Sequence, residues 1–279
     1  MIVLSHFQVR PLLDAWARGE PACPVSLDLN LTTGEAALGP DGVTLPGGAL
    51  LPWEQAEQIA ASENRCFVLE GGQLEPIQFF SETTHWPRSL MPTENAPTML
   101  VAGLPMHRIK GVDPYQDTRR KIKAASPVVG QVLDTATGLG YTAIQAARTA
   151  EQVITVELDP TSLQVARLNP WSADLFDDPR ITQIVGDMWD AVEEMADDTF
   201  SCIIHDPPTF SLAGELYSTD FYTELYRVLR RKGRLFHYVG DPASKSGANV
   251  TRGVVRRLGE AGFTRVKRRP EAFGVLALK

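Results

Sequence analysis

The sequence predicts an α/β protein: a mostly parallel β-sheet with helices on both faces, preceded by a small β-rich domain. Three observations lead there. From about residue 131 short apolar runs alternate with helix-period segments, whereas residues 1–100 hold short or alternating apolar runs between turn residues. A glycine turn, Gly138-Leu139-Gly140, joins the first of the later runs to a helix. Strand followed by helix, repeated, is the pattern of a sheet covered on both faces. Such sheets bind ligands where the carboxyl ends of their strands open.

In the first hundred residues, runs at 25–31, 34–38, 43–45, 66–69 and 74–80 read as strands, with one helical stretch at 53–61. The third run follows the Asp41-Gly42 turn and the last follows Gly71-Gly72. No chemical motif accompanies them, so the chain is divided into a domain at 1–100 and a second at 101–279. The second opens with an apolar run, then His107, Arg108 and Lys110 in a loop, then a helix begun at Asp113-Pro114, where proline fits the first turn. Strands follow at QVLDTA, VITVEL, ITQIVGD, SCIIHD and RLFHYV, and helices at YTAIQAARTA, TSLQVARLN, AVEEMA, DFYTELYRVLRR and GVVRRLGEAG. The tail FTRVKRRPEAFGVLALK reads as a terminal hairpin.

Composition excludes several classes. The 279 residues are 43% hydrophobic, with 27 Lys+Arg against 34 Asp+Glu for a net charge of -7, an ordinary soluble globular balance. No apolar run reaches the roughly 18 residues of a membrane span, and no basic stretch leads into an apolar one at the start, so neither a membrane partner nor export is expected and the cytoplasm is the expected compartment. The 3 cysteines, Cys23, Cys66 and Cys202, lack the spacing of a disulfide framework or a zinc site, and no metal is expected. The net charge hides a segregation: residues 227–279 hold 14 basic and 3 acidic side chains, a net +11. That excess points to a polyanion such as RNA as a partner.

The glycine turn follows Asp134 and lets backbone approach a ligand closely; read from Gly138 it also fits a dinucleotide fingerprint. Asp134 separates the two readings. A carboxylate there would repel a pyrophosphate but suits S-adenosylmethionine, which brings an ammonium and a sulfonium. Glu157, 23 residues on at the end of the next strand, can accept both ribose hydroxyls, while Asp187 can accept adenine amino hydrogens with Met188 on the ring. Asp206 closes a fourth strand as Asp206-Pro207-Pro208-Thr209-Phe210. Methyl transfer from a sulfonium is an in-line displacement, and this loop can hold an acceptor amine by its hydrogens while Phe210 stacks on a planar ring.

With DTATGLG, VELDP, GDMWD and HDPPTF in that order, residues 100–279 resemble the class I S-adenosylmethionine-dependent methyltransferases. The resemblance implies a Rossmann-like seven-stranded sheet. It assigns the methionine part of the cofactor to Asp134, Thr135, Gly138 and Gly140, the ribose to Glu157 with Leu158, the adenine to Asp187 and Met188, and the reacting group to Asp206, Pro207 and Phe210. PMHRIKG, DTRRKIKA and DPPTFSLAGELYS resemble an archaeal-type group assigned as methyltransferases without a substrate. The DPPTF spelling is similar to ribosomal RNA methyltransferases acting on guanine N7 or cytosine C5; the one nearby cysteine, Cys202, sits on a buried strand pattern, which disfavours C5 attack. His205 and His237 at strand positions read as core histidines, and Tyr217, Tyr222 and Tyr226 as packing residues.

Methylation of a nitrogen of an RNA base is the expected activity. His107, Arg108, Lys110 and Lys245, the last in a loop after the fifth strand, are the candidate substrate contacts. A small molecule or protein side chain is the alternative acceptor. A further alternative is aminopropyl transfer, because spermidine synthases share such a sheet and a small N-terminal β domain, although they resemble a GGGDG turn and an aspartate-rich loop where this chain has TATGLG and HDPPTF. Residues 1–100 would recognise substrate or form a homodimer.

Overall fold

The computed structural model describes residues 1–210 and 213–279; Ser211 and Leu212, within the DPPTFSLAGELYS string, lie outside the described residues. The chain forms two compact units, one of Met1–Tyr115 with Thr161–Ala173, the other of Gln116–Pro160 with Asp174–Lys279.

The first unit is β-rich, with one three-stranded and two four-stranded antiparallel sheets. The helix Trp53–Ala60 stands where the sequence places it. A second helix, His6–Ala17, was not expected. Its signal is a capping box: the Ser5 hydroxyl sits at the N-cap and the Gln8 side chain accepts from the Ser5 backbone N–H at 3.0 Å. Val9, Leu12 and Ala15 then recur at helical spacing and enter the core of this unit beside Val25, Val43 and Leu51.

The second unit is a seven-stranded mixed sheet of β1 (Gln131–Asp134), β2 (Gln152–Glu157), β3 (Ile181–Val185), β4 (Phe200–His205), β5 (Leu229–Tyr238), β6 (Thr264–Arg269) and β7 (Gly274–Leu278), in the order β3-β2-β1-β4-β5-β7-β6. The first five run parallel, and β7 is antiparallel to both β5 and β6, which gives the terminal hairpin. All six residues of β4 are buried, as a central strand covered on both faces requires. The helices Met188–Glu193, Thr219–Val228 and Lys245–Glu260 contribute Val192, Phe221, Leu225, Val254 and Leu258 to one core with Leu133, Ile203 and Leu235 of the sheet. At the far edge Arg265, Lys267 and Arg268 keep β6 exposed and charged, which blunts pairing with another chain.

Several boundaries differ from expectation: the strand expected at 25–31 is Ala22–Val25, the helix expected at 191–196 is Met188–Glu193, and two further shifts flank β5. The helix expected through residue 231 stops at Val228, because Leu229 is already extended and pairs with Phe200 across the β4–β5 ladder. The last helix begins at Lys245, well before its expected start at 253, under a Ser244 cap that accepts from Gly247 N–H at 3.0 Å. Its first turns, KSGAN, are small and polar and show no apolar period. Lys245 is therefore the first residue of a helix and not a loop residue.

Candidate active site

The carboxyl ends of the parallel strands fall along one edge of the sheet. Asp134 is level with Thr155 and Ile204, and Glu157 with Val185. Asp134 and Glu157 end their strands, Asp187 lies two residues beyond β3, and Asp206 directly follows β4. The four acids singled out in the sequence thus share one edge, for a topological reason: parallel strands point their carboxyl ends the same way.

Asp134 is fully buried. Its carboxylate accepts from the Thr142 hydroxyl at 3.1 Å on each oxygen and from Thr155 at 2.8 Å. Burial pushes it up to about 8 against the pull of these hydroxyls, with the nearby Asp206 charge adding to the rise. Glu157 pins the glycine turn: one oxygen accepts from Gly138 N–H at 2.8 Å and the other from Asp159 N–H at 3.0 Å. Gly140 has φ +77°, and a Cβ on it would lie 2.6 Å from Leu175 Cδ2; only glycine fits there. At Gly138, φ +53°, a Cβ would meet nothing within 4 Å, so the turn leaves room for a ligand against its backbone.

Two cofactor candidates are buried, against expectation. Met188, expected on the adenine ring, is 4% exposed and packs into the apolar core, since Asp187 caps the helix and turns its first residue inward. Thr135 is buried and its hydroxyl is committed to His205 Nδ1 at 2.7 Å. Leu158, 50% exposed, and Val185, 55% exposed and not expected, are the apolar faces at these strand ends. Asp187 is exposed and accepts from Trp189 N–H at 2.8 Å.

Around the fourth strand end the structure adds a residue the sequence reading missed. Lys121 donates to Asp206 Oδ2 at 2.6 Å and lies 3.4 Å from Asp117 Oδ2, with its Nζ 4.2 Å from the centroid of the Tyr238 ring. Burial works to lower the Lys121 amine, but the attraction of Asp206 and Asp117 outweighs it and the net shift is upward, so the lysine stays charged. On the helix Pro114–Ala125 the buried positions 114, 117, 118, 121, 124 and 125 form one face, and a lysine and an aspartate four residues apart, Lys121 and Asp117, stand together on it.

Pro207 is buried and Pro208 exposed, and Tyr217 fastens the loop by donating to Pro208 carbonyl at 3.0 Å. Phe210 is 49% exposed with its ring 5.4 Å from that of Tyr217. His205 donates from Nε2 to the Leu216 carbonyl, which leaves Nδ1 to accept from Thr135. Burial depresses it to about 4, and it is neutral. His237 bridges the His205 carbonyl and the Tyr222 hydroxyl, and burial beside His205 also lowers it. These histidines tie β4 to β5 and to the glycine turn. Cys202 is fully buried, and burial pushes its thiol up to about 12, which removes it as a nucleophile.

His107, Arg108 and Lys110 belong to the first unit, where Thr98 Oγ1 lies 2.9 Å from His107 Nδ1. Lys245 belongs to the second and is exposed. Among the described residues no group of three or more His, Cys, Asp or Glu is placed to hold a metal ion, and no helix is long and apolar enough to cross a membrane.

In fold the chain is similar to the spermidine synthase of Thermotoga maritima, with a TM-score of 0.57 and 16% identity over 76% of this chain and 77% of that one. A polyamine aminopropyltransferase of Aeropyrum pernix is 29% identical over 133 residues, 46% of this chain and 40% of that protein. An uncharacterised protein of Methanocaldococcus jannaschii is 44% identical over 225 residues, 80% of this chain and 76% of that protein. Residues 133–237 match a family described as a methyltransferase domain. Residues 133–237 thus carry a methyltransferase domain of the class I S-adenosylmethionine-dependent kind.

The residues of this methyltransferase fit S-adenosylmethionine, its cofactor. The backbone at Gly138 leaves room for a ligand, the Glu157 carboxylate could accept from its hydroxyls, and exposed Leu158 and Val185 would offer apolar faces to a flat ring. Asp134, its carboxyl raised to about 8 by burial, holds its proton at neutral pH; it braces Thr142 and Thr155 behind the turn and offers the cofactor's positive charge no full counter-charge, contrary to the expectation from sequence.

Proposed function

We propose that this methyltransferase acts on a nitrogen of an RNA base. The observation that carries the reading is the pairing of a half-exposed aromatic ring, Phe210, with the Asp206 carboxylate on one short loop at the ligand edge of the sheet. The cofactor, when bound, supplies an electrophilic methyl group. The protein's part is to present a nitrogen lone pair in line with it. Asp206 accepts the hydrogens of the acceptor nitrogen and so turns the lone pair away from itself. Lys121 holds the other carboxylate oxygen and fixes its direction, Pro207 stiffens the backbone, and Phe210 offers a stacking face for the base.

The basic residues divide in a way that narrows where RNA would lie. Arg230, Arg231 and Lys232 are at the amino end of β5, opposite the ligand edge. Arg268 and Arg269 are level, through β7, with His237 and Tyr238 at the carboxyl end, and Lys245 opens the helix that follows β5. Lys245, Lys267 and Arg268 are exposed and are the candidates for phosphate contacts. Others are occupied in ion pairs, Arg227 with Asp197 and Glu224, and Lys279 with Asp198.

The test is transfer of labelled methyl from S-adenosylmethionine into total RNA, followed by digestion to nucleosides. Label in an N-methylated nucleoside is the expected result; label in none overturns the reading. Likeness to aminopropyltransferases supports a second reading, transfer of an aminopropyl group to a polyamine. Conversion of putrescine with the decarboxylated cofactor would establish it.

A further inference from the structure

Six positions of the helix Pro114–Ala125 are buried, and one of them carries an ammonium. Lys121 is 2% exposed, between Asp206 at 2.6 Å, Asp117 at 3.4 Å and the face of Tyr238. Dehydrating a lysine and a carboxylate is costly, and an apolar side chain of similar volume commonly serves the fold as well. The consequence of the arrangement lies in what a ligand meets at Asp206. One carboxylate oxygen is taken, and the charge it would offer is offset in part by the ammonium that Asp206 shares with Asp117.

A neutral N–H can donate to the remaining oxygen without electrostatic cost. An ammonium in the same place would sit about 5–6 Å from Lys121 Nζ, and like charges at that range in a half-buried site weaken binding on the order of 100-fold. Taking Asp206 as the group that faces the acceptor, as proposed above, we infer that Lys121 is a specificity-determining residue: it makes the acceptor pocket select the neutral nitrogen of a base and reject ammonium groups such as those of polyamines. A chain with the fold of a spermidine synthase is by this one side chain turned against a diamine.

The experiment compares putrescine binding, by calorimetry on cofactor-loaded protein, in the wild type, Lys121→Met and Lys121→Met/Asp117→Asn. The double variant removes the charge that Lys121→Met would strand at Asp117, and circular dichroism verifies folding. Both variants are expected to bind putrescine 10- to 100-fold tighter than the wild type, and adding Asp206→Asn is expected to abolish the gain. No gain in either folded variant overturns the inference; if Asp206→Asn still abolishes methyl transfer into RNA, the reading of Asp206 stands without it. A gain that survives Asp206→Asn overturns both. In the wild type, millimolar putrescine is expected to leave methyl transfer into RNA unchanged, and inhibition competitive with RNA contradicts the inference without any variant.

Discussion

Replacing Asp134 by asparagine is expected to change how stability depends on pH. Asp134 has no exposure, and burial raises its carboxyl from the usual 3.8 to about 8. A raised acid binds its proton more tightly in the folded protein, so its contribution to stability is complete below about pH 4 and is lost as pH climbs through 8. One pKa unit corresponds to about 1.36 kcal/mol, so between pH 6 and pH 9 the wild type loses roughly 3 kcal/mol through this group. Asparagine keeps the shape and can still meet the hydroxyls of Thr142 and Thr155, but it does not titrate. For a unit of this size about 3 kcal/mol is roughly 6–12 °C in melting temperature. Thermal denaturation of both proteins at pH 6 and pH 9 reads the effect: the melting temperature of Asp134→Asn should gain on the wild type by that amount between the two. Equal differences at both pH values would refute the reasoning.

Other expectations concern single contacts. Gly140→Ala should cost about 1–3 kcal/mol of stability, read by urea denaturation, since its Cβ would enter Leu175; Gly138→Ala, in open space, should cost less stability and weaken S-adenosylmethionine in calorimetry. Glu157→Gln should weaken the cofactor roughly 10- to 100-fold, the worth of charge-assisted hydrogen bonds, and unchanged affinity would remove it from the cofactor site. Phe210→Ala should leave the melting temperature in place, because the ring is half-exposed, and weaken RNA by about 1–3 kcal/mol. An unaltered affinity for RNA in that variant would contradict stacking.

The parallel sheet was legible because its strands are short buried runs that each end in an acid or glycine, and the acids could be placed without tertiary knowledge. Asp134, Glu157, Asp187 and Asp206 come to one edge because parallel strands point their carboxyl ends the same way. What stayed hidden depended on side-chain direction. Met188 and Thr135 follow strands at the right distance, yet both side chains turn into the protein, which spacing does not encode. Lys121 is 85 residues from its partner Asp206, and no local pattern links them, because the buried face of its helix also carries Asp117 and Thr118 and so has no apolar stripe to mark the lysine. The His6–Ala17 helix was signalled by the Ser5 and Gln8 cap but lay among strand-like runs. The final helix began early because its Ser244 cap stands before small polar residues that carry no period.

Methyl transfer from labelled S-adenosylmethionine into a fractionated cell extract, with portions digested separately by nuclease and by protease, tests the central claim most directly. The account predicts label that nuclease releases and protease leaves in place, and that is absent with Asp206→Ala. Label released by protease, or retained in small molecules alone, would contradict it.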